Sequence, residues 1–288
     1  MTKSSEKEIT IYLEGKEVSA PVSNVEMTPY FVCFIDLLGT TDNIKTHRDK
    51  NYVSQLHAIM DLCRKINDLQ QRQLKIKTFS DNICFLLPIP EDMQKAKLDF
   101  HTFLTVVATF QILLLKYTGE LVRGGIAAGD AFCDDALVWG EALVEAYSLE
   151  SSKGTNYPAV FLADDLVQYF PDNYNCLGLA IHDARFKNRF LNFFVELDNE
   201  PSKPLLKDVF DKLSQKLQAS IFSDPTRGDV FQKLIWTCSY YNAVAVKLER
   251  PDLVFDITWN QAGGIKIPIV PHAEFQKSKT PKTAERKD

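Results

Sequence analysis

Two aspartates stand where that residue type is uncommon unless used. Asp36 ends an apolar run in Phe31-Val-Cys-Phe-Ile-Asp-Leu-Leu-Gly-Thr-Thr41, and Asp81 sits in Lys75-Ile-Lys-Thr-Phe-Ser-Asp-Asn-Ile-Cys-Phe-Leu-Leu87. Carboxylates brought together at strand ends offer hard oxygen ligands to divalent cations, the chemistry that phosphate-handling sites require. Each aspartate alone has a plainer reading: Asp36 as a helix cap, Asp81 as a turn residue. The choice depends on whether the chain brings the two together.

The elements that must position them are legible from periodicity. The unbroken apolar run before Asp36 reads as a strand buried on both faces. The segment around Asp81 reads as a hairpin with the acid at its turn. Between them, Leu56, Ile59, Met60, Cys63, Ile66 and Leu69 recur at helical spacing, which predicts an amphipathic helix over 53–73. Phe100 to Tyr117 is apolar almost all round and predicts a helix held between layers. A glycine-bearing strand from Leu121, then Leu137-Val-Trp-Gly140 leading into a helix 141–150, a strand 157–162 and a short helix 164–170 follow. The order from Phe31 to Phe170 is βαββαβαβα, and its first part matches two split βαβ units, the ferredoxin-like α+β arrangement. Four segments are expected: a tail with one edge strand over 1–26, a domain over 27–172, a helical and strand extension over 173–275, and a disordered tail over 276–288. In the extension, 190–197 reads as a strand, and 205–222 and 230–247 as helices.

Composition narrows the class. The chain has 288 residues, 45% of them hydrophobic, enough for a sizeable core. A formal charge of -5 argues against nucleic acid as a partner. The N-terminus lacks the apolar core of a secretory signal, which makes the cytoplasm the default. The strongly apolar stretch Phe103 to Leu115 is too short to span a bilayer, so no membrane is expected. Six scattered cysteines without a C-x-x-C pair suit reduced, buried thiols.

Four stretches then resemble, in order, the motifs of class III nucleotidyl cyclases. Phe34-Ile-Asp-Leu-Leu-Gly-Thr-Thr41 is similar to their Phe-x-Asp-Ile-x-Gly-Phe-Thr strand end, and Lys75-Ile-Lys-Thr-Phe-Ser-Asp81 to their Lys-Ile-Lys-Thr-Ile-Gly-Asp hairpin. Arg123-Gly-Gly-Ile-Ala-Ala-Gly129 and Trp139-Gly-Glu-Ala-Leu-Val-Glu-Ala-Tyr-Ser-Leu-Glu150 resemble the strand and helix that follow there. The resemblance spans roughly residues 28 to 170. It implies a homodimer with composite sites at the interface and two Mg²⁺ or Mn²⁺ ions on Asp36, Asp81 and the Leu37 carbonyl. It also implies a nucleoside triphosphate substrate, with Leu38, Gly39 and Thr40 near phosphate, Lys75 at the base and Arg123 as a candidate contact. Phe34 and Phe79 read most simply as core side chains, or else, each neighbouring one of the aspartates along its strand, as packing against the base or ribose. The product would be a 3′,5′-cyclic nucleotide with pyrophosphate.

The departures bear on the substrate. Where purine cyclases carry an asparagine and an arginine on the helix, this chain has Val144 and Ser148, and the adenine-reading aspartate falls on Leu137. Asp130 replaces a further arginine, while Lys75 is kept. With the helix sequence and the Tyr157-Pro strand, this resembles the pyrimidine cyclases of the bacterial Pycsar anti-phage system. There, cyclic UMP or cyclic CMP activates a separate toxic effector. UTP is favoured over CTP on the breadth of the uridylate group, not on any pocket residue.

Other readings stay open beside these. Arg123 suits a triphosphate or a surface pair with Glu120 equally. Tyr147, Trp236, Tyr240 and Tyr241 read as core side chains, and His57, His101 and His182 as structural. Lys247 or Lys266 is a candidate for the missing phosphate cation. An inactive cyclase-like scaffold and a purine cyclase are the competing functions. A diguanylate-type enzyme lacks its Gly-Gly-Asp/Glu-Glu-Phe turn here.

Overall fold

The computed structural model describes residues 8–13, 16–21, 25–38, 50–69, 73–151, 157–170, 179–181, 186–194, 203–221, 228–255, 258–259 and 265–266. Its centre is β3 (Thr28–Leu38), bonded antiparallel to β5 (Asn82–Pro88) on one side and β6 (Leu121–Cys133) on the other. Helix α1 (Lys50–Leu69) leads from β3 to β4 (Lys75–Phe79), and α2 (Met93–Thr118) leads from β5 to β6. The sheet order β4-β5-β3-β6 is that of two split βαβ units, so the expected ferredoxin-like α+β core is present. The sheet continues through β8 (Val160–Leu162), β10 (Phe190–Leu191) and β9 (Ala180–Ile181), with β7 (Val138–Gly140) paired to β6. Helix α3 (Glu141–Ser151) follows β7 directly.

The two sheet faces are built differently. On β3, Phe31, Cys33, Ile35 and Leu37 are buried, whereas Phe34, Asp36 and Leu38 are half-buried. The first set packs under α1 and α2: the Phe31 ring lies 4.8 Å from Phe100, and Phe85 lies 5.2 Å from Phe110. Helix α2 starts at an Asp92 cap, whose carboxylate accepts from the Lys95 N–H at 2.7 Å, and stops at Gly119 with φ 74°. By length and composition this 26-residue helix could cross a membrane, which corrects the reading of its apolar stretch as too short. Its apolar surface is spent inward, since 72% of the apolar window is buried.

The C-terminal part is welded on by charge and by rings. Helix α4 (Lys203–Ile221) meets α2 through Lys116–Asp208 at 2.8 Å and the turn after α2 through Lys216–Glu120 at 3.3 Å. On α5 (Gly228–Lys247), Trp236 packs among Tyr157, Phe186 and Phe190 at centroid distances of 5.6–6.2 Å. Tyr241 is fully buried and donates to the Leu206 carbonyl at 2.8 Å, so Trp236 and Tyr241 are core as expected. Tyr240, half-buried among the same rings, bonds Asn192.

Three local expectations change. The N-terminal edge strand is a separate hairpin of β1 (Glu8–Leu13) and β2 (Lys16–Pro21), because β1 pairs with β2 and not with the main sheet. The strand expected over 190–197 lasts only through Leu191, since Phe193 and Phe194 turn inward onto Tyr240. The strand expected over 157–162 begins at Val160. The tail over 276–288, Cys176 and His182 lie outside the described residues. The described cysteines are all free and buried.

Candidate active site

Strand register assembles the site. Residues opposite one another across β4, β5, β3 and β6 form the row Phe79, Asn82, Asp36 and Arg123. All four side chains project from the sheet face turned away from α1 and α2, because side chains alternate along a strand. Asp81 occupies the hairpin turn beside this row. Ser80 enters that turn with φ 57°, the left-handed conformation that a tight two-residue connection needs. The Leu37 N–H donates to the Asp81 carbonyl at 3.0 Å, so the two aspartate-bearing strand ends are bonded to each other through backbone.

Asp36 is held by charge on several sides. Arg123 Nε donates to its Oδ2 at 3.0 Å and lies 2.5 Å from Oε1 of Glu150 on α3. Burial pushes the Asp36 carboxyl above the usual carboxylate range; Arg123 pulls it down by charge and hydrogen bond, and the Asp81 charge pushes it up again. The Lys233 ammonium of α5 also draws it down. Glu150 is raised by burial as well, with Arg123 opposing and Asp36 adding to the rise.

Glycine lets α3 reach this face. A Cβ on Gly125 would stand 2.2 Å from the Ala146 carbonyl oxygen and 2.6 Å from Leu149 Cβ, so the helix backbone rests directly on the strand. From that seat, Tyr147 meets Phe34 edge-on at 5.4 Å, and Glu150 reaches Arg123. Tyr147 is 52% exposed, so it flanks the site and is not the core residue its helical spacing suggests.

Beside Asp36 a cleft of about 330 Å³ is lined by Phe34, Lys77, Phe79, Leu137 and Leu143. Lys77 faces Asp135 across it at 3.6 Å. Lys75, the lysine expected at the substrate, donates from its ammonium to the Cys133 carbonyl at 2.5 Å and lies 5.8 Å from the Tyr30 ring centre. The two lysines share a sheet face, but Lys75 starts its strand and Lys77 is one pleat nearer the aspartates. Arg123 does not pair with Glu120, which instead meets Lys216. Leu38 is half-buried at the end of β3, while Gly39 and Thr40 lie outside the described residues.

Two residues at the site, Lys77 and Glu150, carry no role in the sequence reading, nor does Lys233, whose charge acts on Asp36 from α5. The Lys-Ile-Lys alternation already puts Lys77 on the aspartate face, so period two was the available signal. Glu150 and Lys233 depend on how α3 and α5 seat, which no local pattern reports. Lys247, proposed as the missing cation, lies 14 residues beyond Lys233 on α5, about 21 Å along the helix.

The residue chemistry is compatible with a hard divalent cation. Asp36 and Asp81 are carboxylates on strand ends bonded to each other through backbone, and such ions accept one or two carboxylates with water and phosphate completing the shell. Among the described residues, no group of three or more acidic, histidine or cysteine side chains is arranged to hold a metal.

No family model matches the chain, and no curated protein matches it. Among solved structures, the guanylyl cyclase Cya2 is similar at 16% identity and a TM-score of 0.39, over 59% of this chain and 92% of that one. The adenylyl cyclase CyaB from P. aeruginosa is similar at 13% identity and 0.41, over 59% and 94%. The guanylyl cyclase domain of the RhoGC fusion protein from the aquatic fungus Blastocladiella emersonii is similar at 12% identity and 0.44, over 59% and 98%.

Proposed function

We propose that this chain is a nucleotide cyclase of the class III type. It converts a pyrimidine nucleoside triphosphate, UTP before CTP, to the 3′,5′-cyclic monophosphate and pyrophosphate. The observation that carries the reading is the backbone bond between Leu37 and Asp81, which sets the Asp36 and Asp81 strand ends side by side. The four sequence motifs support the same reading.

The chain's residues divide the work. Asp36 and Asp81 hold Mg²⁺ or Mn²⁺, which when bound supplies Lewis-acid charge to the triphosphate and to the ribose 3′-oxygen. That oxygen gives up its proton to solvent water and attacks the α-phosphorus; the bond from that phosphorus to the α,β-bridging oxygen breaks, and pyrophosphate leaves with it. Lys233 and Arg123 place positive charge where the triphosphate carries negative charge. The cleft of Phe34, Lys77, Phe79 and Leu137 takes the base, with Lys77 as its charged donor. Gly39 and Thr40 stay in the proposal as backbone contacts to phosphate.

The chain works as a homodimer in this reading. Phe79 and Leu137 of the cleft, with Trp139, Val144 and Tyr147, are each at least half exposed, apolar side chains that a second copy of the chain would cover. The cyclic product passes to a separate effector in anti-phage defence.

A second reading, an inactive scaffold, is favoured by one observation: the Arg123 guanidinium already occupies the Asp36 carboxylate. Incubating the full chain with each of the four triphosphates and Mn²⁺, then resolving cyclic products, separates the readings. Cyclic UMP or cyclic CMP is the expected product. A purine product moves the assignment to a purine cyclase, and no product from any triphosphate moves it to the scaffold.

A further inference from the structure

We infer that Glu150 is a positioning residue that keeps Asp36 competent for a divalent cation by sharing the charge of Arg123. The inference rests on the metal-site reading above and adds a residue to it.

The guanidinium lies between two carboxylates. Arg123 Nε donates its hydrogen to Asp36 Oδ2 at 3.0 Å and stands 2.5 Å from Glu150 Oε1, which it meets by charge and not through that hydrogen bond. Glu150 is also the less exposed partner, its side chain at 5% against 19% for Asp36. Charge interactions strengthen as water is removed, so the more buried Glu150 carboxylate shares the guanidinium charge although Asp36 keeps its hydrogen bond. The Glu150 height over the strand is set by α3, whose backbone lies against Gly125.

The consequence follows from counting charge. Asp36, Arg123 and Glu150 together carry one net negative charge, which remains to attract a cation. With Glu150 neutral, the guanidinium falls wholly to Asp36; it occupies one oxygen and repels a divalent ion beside it. With both Arg123 and Glu150 neutral, Asp36 again presents one negative charge. Glu150 and Arg123 are therefore coupled: removing the acid alone weakens cation binding, and removing both restores it.

The test is Mn²⁺ binding by the full chain, followed by the electron paramagnetic resonance signal of free Mn²⁺, with no nucleotide and no turnover required. Glu150→Gln is expected to weaken Mn²⁺ affinity about tenfold, equivalent to about 1.4 kcal/mol. The double variant Arg123→Gln with Glu150→Gln is expected to return to within about threefold of wild type, equivalent to about 0.7 kcal/mol. A thermal melt of each variant checks that it is folded. If Glu150→Gln does not fold, the double variant alone decides, by keeping or losing Mn²⁺. Wild-type affinity in Glu150→Gln, or weak binding in both variants, overturns the inference. Asp36→Asn separates that outcome from failure of the metal site: a wild-type chain that binds Mn²⁺ and loses it in Asp36→Asn leaves the site standing. A wild-type chain that binds no Mn²⁺ overturns both.

Discussion

Arg123 and Asp36 face each other directly across β6 and β3, and the guanidinium Nε lies 3.0 Å from the carboxylate Oδ2. A strand arginine and a strand-end aspartate thus form a half-buried ion pair on the sheet face that α3 covers. Breaking such a pair by removing one partner is costly because the other charge stays desolvated. Here Glu150 softens that cost for Arg123, which keeps a carboxylate when Asp36 is neutralised.

Substituting Asp36 or Asp81 should therefore separate activity from folding. Asp36→Asn and Asp81→Asn are each expected to lower turnover at least about 100-fold, the scale of removing a charged catalytic group. Circular dichroism melts should stay close to wild type. Near-normal turnover in either variant would remove the two-carboxylate assignment.

Gly125 offers a structural test of how α3 is seated. Gly125→Ala drives a methyl into the Ala146 carbonyl and Leu149, neither of which is the free end of a flexible chain. The cost is expected at about 1–3 kcal/mol, read as a lower melting temperature. Because α3 carries Glu150, the same variant should also weaken Mn²⁺ binding. An unchanged melt would show that the helix shifts freely.

Lys233 tests whether the C-terminal part reaches the reaction. Its charge acts on the Asp36 carboxyl, and the ring cluster around Trp236 sets the register of its helix. Lys233→Met is expected to raise KM for the triphosphate about tenfold with a smaller effect on kcat, as for a lost ground-state contact. Steady-state kinetics on the purified variant decides it; an unchanged KM would release Lys233 from the site.

Asp134 supplies a pH test. Its carboxylate accepts from the Ala136 and Leu137 N–H groups at 2.8 and 2.7 Å, which holds its pKa below the ordinary aspartate range. A depressed folded-state pKa means stability that is present above the unfolded value and lost as pH falls through the folded one. Melts taken from neutral pH downward should show wild type and Asp134→Ala converging at acid pH, with wild type the more stable at neutral pH. A constant gap across the range would refute the link. Since Leu137 lines the cleft, the variant should also loosen substrate binding.

Much of the frame was legible because it is local. Apolar runs and helical spacing located β3, α1, α2 and α3 to within a few residues, and the hairpin at Asp81 followed from its turn residues. Alternation in Lys75-Ile-Lys77 puts both lysines on one face. It could not say which lysine of Lys75 and Lys77 stands near the aspartates, because alternation gives a face and not a distance along it. Nor could it pair Arg123, whose nearest acid in sequence is Glu120 but whose partners in space are Asp36 and Glu150. Strand length in the extension failed for a related reason: Phe193 and Phe194 suit a strand, yet ring packing against α5 claims them.

By itself, then, the order of residues determined the ferredoxin-like core and the two carboxylates, since backbone preference and hydrophobic period act over a few residues at a time. Only the tertiary structure decided which charges act on Asp36. The contacts join β6 and α3 to it across large chain separations, with α5 adding a charge from further off, and the seating of one helix on a glycine outweighs any nearby pattern.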